Sequence, residues 1–193
     1  MIRRSLPLLR HLLLTLLLAL AAVLPAAEAA EAEVAAVRLE AGEEGYRLAA
    51  SFSFELSHGL EDAIARGIPV SFTTEAELTR PRWYWFDEKA IHASQTVRIA
   101  YNLWTRQYSA TINSGLQQNF GTLDDALALV RRPRRWLVAE KGVLTGGATY
   151  NVAVRLRLDL NELPKPFLIT GLNNSDWRLS SDWKRFTFKA DDK

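Results

Sequence analysis

Apolar and polar residues alternate with a period of two along much of the chain, which is typical of β-strands with one dry and one wet face. The alternation is most regular in 46–56, 68–78 and 148–160. Shorter stretches of the same pattern predict further strands at 33–40, 135–140 and 183–188. Alternation of this kind favours antiparallel sheet.

The alternation changes phase inside 89–112. Its apolar residues occupy odd positions up to Leu103 and even positions from Trp104 onward. Because side chains point strictly to alternate faces of a strand, a change of phase requires a bulge, a break or a crossing between layers. We therefore predict a bend between Leu103 and Trp104.

Two segments have the pattern of short helices. The first covers 58–66, with Ser57 as its N-cap and Gly67 after its end. The second follows Thr122, where the sequence Thr-Leu-Asp-Asp resembles a capping box with aspartate in place of glutamate. The predicted fold is therefore mainly β or α+β. It is a single curved or doubled antiparallel β-sheet of about eight strands, with the two short helices packed on its apolar face.

The first 29 residues have the composition of a cleavable secretory signal. A basic start precedes an apolar run from Leu12 to Leu24, and small residues follow Pro25. The run is shorter than the roughly 20 residues that cross a bilayer. We predict cleavage after Ala29, a single mature domain over 30–193, and a periplasmic location. An uncleaved anchor is the alternative, since leucines before the run could lengthen it.

Charge and cysteine content exclude some classes of function and chemistry. Removal of residues 1–29 takes away three of 24 basic residues and one of 22 acidic residues, which leaves 21 of each. A neutral mature chain argues against a general nucleic-acid binder, whose affinity rests on net positive charge. The chain has no cysteine, so it has no disulfide, no thiol nucleophile and no cysteine to carry a lipid.

Five motifs resemble those of a family of exported Gram-negative proteins, the domain of unknown function 4390, also described as proline-rich signal peptide proteins. In chain order they are R-G-I-P-V-S-F (66–72), R-x-R-W-Y-W-x-D (80–87), Y-N-L-W-T-R-Q-Y (101–108), L-D-x-x-x-L-P-K-P-F (158–167) and S-D-W-x-L-S-S-x-W (175–183). The resemblance covers nearly the whole mature chain and implies export and one domain. It implies no catalytic residues, because the family has no assigned activity. Family members tend to be encoded close to a nitrogen-regulation sensor kinase, which suggests envelope signalling.

Residues with catalytic or metal-binding chemistry are sparse. His58 and His92 are the only histidines outside the signal, and both are expected to be exposed structural residues. Glu75 and Glu77 point to one wet face and could form a carboxylate pair, but a solvated sheet surface explains them more simply. We expect Arg98, Arg106, Arg155 and Arg157 on the same outer surface, where Glu–Arg pairs across strands would add a little stability. We therefore expect no enzyme activity, no cofactor and no metal.

Two clusters of arginine and aromatic residues form the predicted interaction surface, because tryptophan, tyrosine and arginine dominate interface energetics. The first cluster lies in 80–86, where four aromatic residues in a row cannot all face one core. The second is the run of four arginines in 131–135, which suits an acidic partner or an anionic lipid headgroup. The candidate residues are Arg80, Arg82, Trp83, Trp85, Arg134 and Arg135.

Three functions remain open from the sequence. The first is a non-enzymatic envelope protein that binds another protein, such as the outer part of a membrane sensor. The second is a carrier or sensor of an apolar or lipid ligand held under the sheet, because the sequence does not separate a filled core from a lined cavity. The third is an enzyme whose site is assembled only in the fold.

Overall fold

The computed structural model describes residues 30–81, 88–165, 167 and 175–191. These residues form ten strands and two α-helices. The strands are Ala30–Ala41 (β1), Gly45–Ser53 (β2), Val70–Arg80 (β3), Glu88–Asn102 (β4), Gln107–Ile112 (β5), Gln117–Phe120 (β6), Trp136–Glu140 (β7), Thr149–Leu158 (β8), Leu179–Ser181 (β9) and Lys184–Lys189 (β10). The helices are His58–Ala65 (α1) and Leu123–Arg131 (α2).

The strands form one curled sheet in the order β6-β5-β4-β3-β8-β9-β1-β2-β7, and β10 also pairs with β8. The pairs are antiparallel except for β1 with β9, which is parallel. This confirms the predicted fold class, with ten strands rather than about eight. The two additional strands are β6, which is nearly all polar, and β9, which has three residues. Neither is long and alternating enough to be recognised from sequence.

The predicted bend between Leu103 and Trp104 is confirmed. Strand β4 ends at Asn102 and β5 begins at Gln107, so the phase change marks a tight turn between two antiparallel strands. Arg106 in this turn has a φ of 53°. The turn reverses the chain, and the strand after it therefore starts with a new alternation.

The core lies on the dry face of the central strands. Large side chains of β3 and β8 are completely or almost completely buried there, among them Phe72, Leu78, Tyr150 and Leu156. Both helices contribute their apolar stripes to the same cluster, as predicted. The buried helical residues are Leu60, Ala63, Ile64, Ala126, Leu127 and Val130.

Both helices begin at the predicted caps. The Ser57 hydroxyl accepts a hydrogen bond from the Leu60 amide at 3.3 Å and donates one to the Asp176 carbonyl. The Thr122 hydroxyl accepts from the Asp125 amide at 3.2 Å and donates to the Asp125 carboxylate at 2.6 Å. With eight and nine residues, neither helix is long enough to cross a membrane, and no other helix in the described ranges qualifies.

The β1–β2 hairpin and the segment before β7 are held together closely. Gly45 has a φ of 142°, and a Cβ built on it would lie 2.1 Å from the Ala139 carbonyl oxygen of β7. Further along β2, the Ala50 amide donates to the Pro133 carbonyl at 3.2 Å. Residues 132–135 therefore run alongside β2 before they enter β7.

Candidate functional site

An open groove lies over the outer face of the β1–β2 hairpin. Its floor is made of small residues that point away from the core, Ala36, Ala49 and Ser51. Its volume is about 820 Å³. We call it the arginine groove because five arginines line it, namely Arg38, Arg47, Arg132, Arg134 and Arg135.

Three of these arginines come from the segment between α2 and β7. Arg132, Arg134 and Arg135 are exposed, whereas Pro133 between them is buried against β2. Arg135 has a φ of 55°, in the left-handed region that residues other than glycine rarely adopt. Such strain persists where the surroundings hold the backbone in place, and here it turns the chain into β7.

The positive charge of the arginine groove is only partly neutralised. Arg38 Nε lies 2.9 Å from the Glu40 carboxylate, and Arg47 Nη2 lies 2.6 Å from that of Glu44. The other three arginines have no acidic partner within the described residues. Among the described residues, one acidic residue, Glu40, lines the groove together with five arginines.

Two further features define what can bind there. Small floor residues allow an extended chain or a carboxylate to approach the strands closely, and guanidinium groups bind carboxylates and phosphates through paired hydrogen bonds. Leu137 lies directly opposite Arg47 in the β2–β7 pair and is 38% exposed, so it adds an apolar side chain to the same face. The groove suits an anionic and partly apolar ligand.

A second groove of about 840 Å³ follows on the same hairpin and has the opposite charge. It lies over the first residues of β1 and the end of β2, and Lys184 is the one basic residue of the described ranges that lines it. Its acidic residues are Glu31, Glu33, Glu55 and Asp182. The two grooves over this hairpin therefore differ in the charge of the side chains that line them, which would orient a charged partner.

The residues predicted to form one interaction surface do not all lie together in the structure. Arg134 and Arg135 lie together in the arginine groove. Arg80 lies at the end of β3, with Nη1 3.5 Å from the Thr145 hydroxyl, and does not line that groove. Arg82, Trp83 and Trp85 lie outside the described residues, so the proposal for them stays a prediction.

Sequence reasoning missed Arg38 and Arg47 as members of the site. Both occupy outward positions of paired strands, and this signal could have placed them on one face. Arg132 belongs to the predicted run 131–135 but was not among the six candidate residues. Its position beside β2 depends on the backbone hydrogen bond to Pro133, which no local pattern indicates.

The prediction that Glu75 is solvated is wrong, whereas the expected cross-strand pairing of glutamate with Arg155 and Arg157 is present. Glu75 is 7% exposed, and its carboxylate lies 2.6 Å from Arg155 Nε and 2.8 Å from Arg157 Nε. Arg157 also pairs with Asp159 at 3.3 Å, and the Arg155 guanidinium lies 4.4 Å from the centre of the Trp183 ring. Long arginine side chains cover apolar and polar surface alike, so they bury a carboxylate on a face that alternation marks as wet.

The electrostatics of this cluster follow from its geometry. Burial raises the pKa of the Glu75 carboxyl, but the hydrogen bonds and positive charges of Arg157 and Arg155 outweigh that effect and leave the pKa below its ordinary value. Burial lowers the pKa of Arg157, whereas Glu75 and Asp159 raise it, with a net rise. Both shifts keep the groups charged, which is typical of a structural ion-pair network.

The two histidines each meet a single carboxylate. His92 Nδ1 lies 3.3 Å from Glu77, and His58 Nε2 lies 3.8 Å from Asp62. Both histidines are exposed, as predicted. No group of three or more potential metal-binding side chains occurs within the described ranges.

The dry face has packed aromatic side chains at the positions where a ligand cavity was considered. Tyr46 meets Phe188 edge to face with ring centres 5.6 Å apart, and Phe54 stacks on Phe72 at 6.0 Å. The Tyr150 hydroxyl accepts a hydrogen bond from the Thr145 amide at 2.9 Å. These rings fill space among one another, as side chains of a packed core do.

Comparison with known proteins identifies the family. The chain matches the family described as a domain of unknown function (DUF4390) over residues 29–187, which confirms the resemblance seen in the five motifs. No curated protein and no solved structure matches the chain. The match spans most of the 193 residues, and the chain therefore belongs to the DUF4390 family.

Proposed function

We propose that this protein is a non-enzymatic, exported binding protein of the bacterial envelope that holds an acidic segment of a partner protein in its arginine groove. The observation that carries the proposal is the set of three exposed arginines, Arg132, Arg134 and Arg135, without acidic partners in the described part of the chain. They stand over a floor of alanine and serine that an extended chain can approach. The proposal places the protein in the periplasm, on the basis of the signal-like first 29 residues.

The form of the groove favours a protein segment as the ligand. A concave floor between strands accommodates an extended chain along its length, and the exposed Leu137 offers that chain an apolar contact. The acidic groove on the same hairpin repels an acidic segment, which favours binding of that segment in the arginine groove. The tendency of the family to be encoded near a sensor kinase makes the periplasmic part of a membrane sensor the first partner to look for.

Photocrosslinking in intact cells tests this proposal. A photoreactive residue in place of Ala49 would lie on the groove floor, and the same residue in place of Ser114, exposed in the turn between β5 and β6, is the control. We expect one protein adduct at Ala49 and none at Ser114. Equal labelling at both positions, or no protein adduct at either, would contradict the proposal, and lipid adducts alone would favour the lipid hypothesis.

A pair of charge-reversal variants tests the role of the arginines. Arg132→Glu combined with Arg134→Glu should weaken partner binding by about tenfold or more, because interfacial charge pairs contribute on the order of 1 kcal/mol each. Arg178→Glu combined with Arg185→Glu makes the same change in net charge at exposed arginines outside the groove. If both double variants lose binding equally, net charge rather than the arginine groove attracts the partner.

A further inference from the structure

The turn between β4 and β5 exposes two large apolar residues. All residues from Asn102 to Gln107 are exposed. Trp104 is 96% exposed and Leu103 is 62% exposed. A fully exposed tryptophan beside an exposed leucine is unusual in a folded domain, because each large apolar side chain left in water forgoes the free energy of burial.

The turn is fixed in shape before it meets any ligand. The Asn102 side-chain oxygen accepts hydrogen bonds from the amides of Trp104 at 2.9 Å and Thr105 at 3.1 Å. At its base, the rings of Tyr101 and Tyr108 pack against each other across the two strands, with centres 4.7 Å apart and planes inclined by 48°. Two amides of the turn are therefore satisfied internally, which lowers the cost of moving it out of water.

The shape of the turn favours a bilayer over a protein pocket. A stable protein interface buries about 800 Å² on each partner around a central anchor, whereas this turn is a narrow convex tip with two apolar side chains. Insertion into the headgroup region of a bilayer does not require such an area, because two apolar side chains at the tip of the turn are enough to enter it. Tryptophan and tyrosine are enriched at that depth because one part of each ring system is apolar and one part is polar.

Charge at the turn adds to this argument. Arg106 is exposed and has no acidic partner within the part of the chain that the structure describes. It lies two residues after Trp104, and its φ of 53° is part of the turn. A basic residue near an anionic membrane surface contributes about 1 kcal/mol, so the turn combines apolar and cationic contacts.

We propose that Leu103 and Trp104 insert into the headgroup region of an anionic phospholipid bilayer, with Arg106 at the phosphates, and hold the protein reversibly at a membrane surface. This site is separate from the arginine groove and does not depend on the function proposed for it. A tip of two residues buries less apolar surface than a single acyl chain and binds weakly, so the protein would exchange between membrane and solution.

Vesicle co-sedimentation of the chain without residues 1–29 tests the proposal. The vesicles contain equal parts of phosphatidylcholine and phosphatidylglycerol, or phosphatidylcholine alone. Trp104→Ser should lower the partition coefficient on the mixed vesicles by about tenfold. Leu116→Ser is the matched control, because Leu116 is 91% exposed in the turn at the other end of β5, and it should change binding less than about twofold.

A third variant tests the charge. Arg106→Asn retains a residue that tolerates positive φ, and it should weaken binding to the mixed vesicles while leaving binding to pure phosphatidylcholine unchanged. The proposal is overturned if the parent chain does not sediment with the mixed vesicles, or if Trp104→Ser and Leu116→Ser have equal effects. It is also overturned if a photoreactive residue at position 104 captures a protein and no lipid in cells. None of these outcomes bears on the arginine groove, because a protein adduct at Ala49 would support that proposal independently.

Discussion

At the scale of single residues, Glu75 shows how tertiary contacts change the role of a residue. The alternation of apolar and polar residues along β3 places Glu75 on the solvent face, yet two arginines from β8 cover it. Arg155 lies directly opposite Glu75, and Arg157 is two residues further along the same face. The residue therefore functions as the centre of an ion-pair network rather than as a solvated charge.

We predict that Glu75→Gln lowers the free energy of unfolding by roughly 2 kcal/mol. The glutamine leaves two half-buried guanidinium groups without their shared carboxylate. A hydrogen bond to a charged group contributes about 1.5 to 3 kcal/mol to stability. Urea unfolding at neutral pH measures the change. Glu140→Gln, at an exposed position of β7, is the control and should be close to neutral.

The same residue predicts a pH dependence. The pKa of Glu75 is lower in the folded state, so its contribution is present above the unfolded pKa of glutamate, about 4.3, and is lost as the pH falls through the folded value. The raised pKa of Arg157 affects stability only at strongly basic pH. The stability difference between the parent protein and Glu75→Gln should therefore shrink below about pH 4, and a constant difference across the acid range would refute the ion-pair explanation.

At the scale of elements, the pairing of β2 with β7 depends on one glycine. The φ of Gly45 lies in the region that side chains rarely adopt, and an added Cβ would overlap the carbonyl of Ala139. We predict that Gly45→Ala destabilises the protein by about 2 kcal/mol or more, because both the strain and the overlap must be relieved by moving β7.

Gly121→Ala provides the matched control, since nothing lies within 4 Å of the Cβ that this change would add. Thermal unfolding of both variants measures the difference. If Gly45→Ala unfolds at the same temperature as Gly121→Ala, the close approach of β2 and β7 does not constrain the fold. Because β7 continues from residues 132–135, loss of this pairing should also weaken partner binding in the arginine groove.

Local pattern predicted most elements for a clear reason. Long alternating strands such as β3 and β8 repeat their signal over many residues, and helix caps such as Ser57 and Thr122 use side chains close in sequence. Strand β9 escaped prediction because three residues carry too little periodicity. It exists because β1 and β8 supply its hydrogen-bond partners from distant parts of the chain.

At the scale of the whole molecule, the first strand begins where the predicted signal ends. Ala30 pairs with Leu179, and Ala32 pairs with Ser181. Cleavage after Ala29 would leave the β1–β9 pairing complete, whereas cleavage after Ala32 would remove it. We therefore predict a mature protein that begins at Ala30.

The intact mass of the protein recovered from the periplasmic and membrane fractions measures this start. A full-length mass in the membrane fraction would support the uncleaved anchor instead. A protein found only in the cytoplasm would contradict export. A control with Ala29 replaced by a bulky residue such as Phe should impair cleavage after position 29, because signal cleavage requires small residues there.

The fold class, the bend at Leu103 and Trp104, the helix caps and the family could all be predicted from the sequence, because each of these depends on neighbouring residues or on motifs of contiguous residues. Which charged residues meet depends on the tertiary structure. Arg132 lies beside the outer face of β2 because the neighbouring Pro133 carbonyl accepts a hydrogen bond from the Ala50 amide, and Glu75 is buried by arginines eighty residues away. Long-range contacts of this kind depend on sheet order and curl, which local patterns do not encode. The arginine groove and the exposed Trp104 turn are surfaces of the folded chain for the same reason.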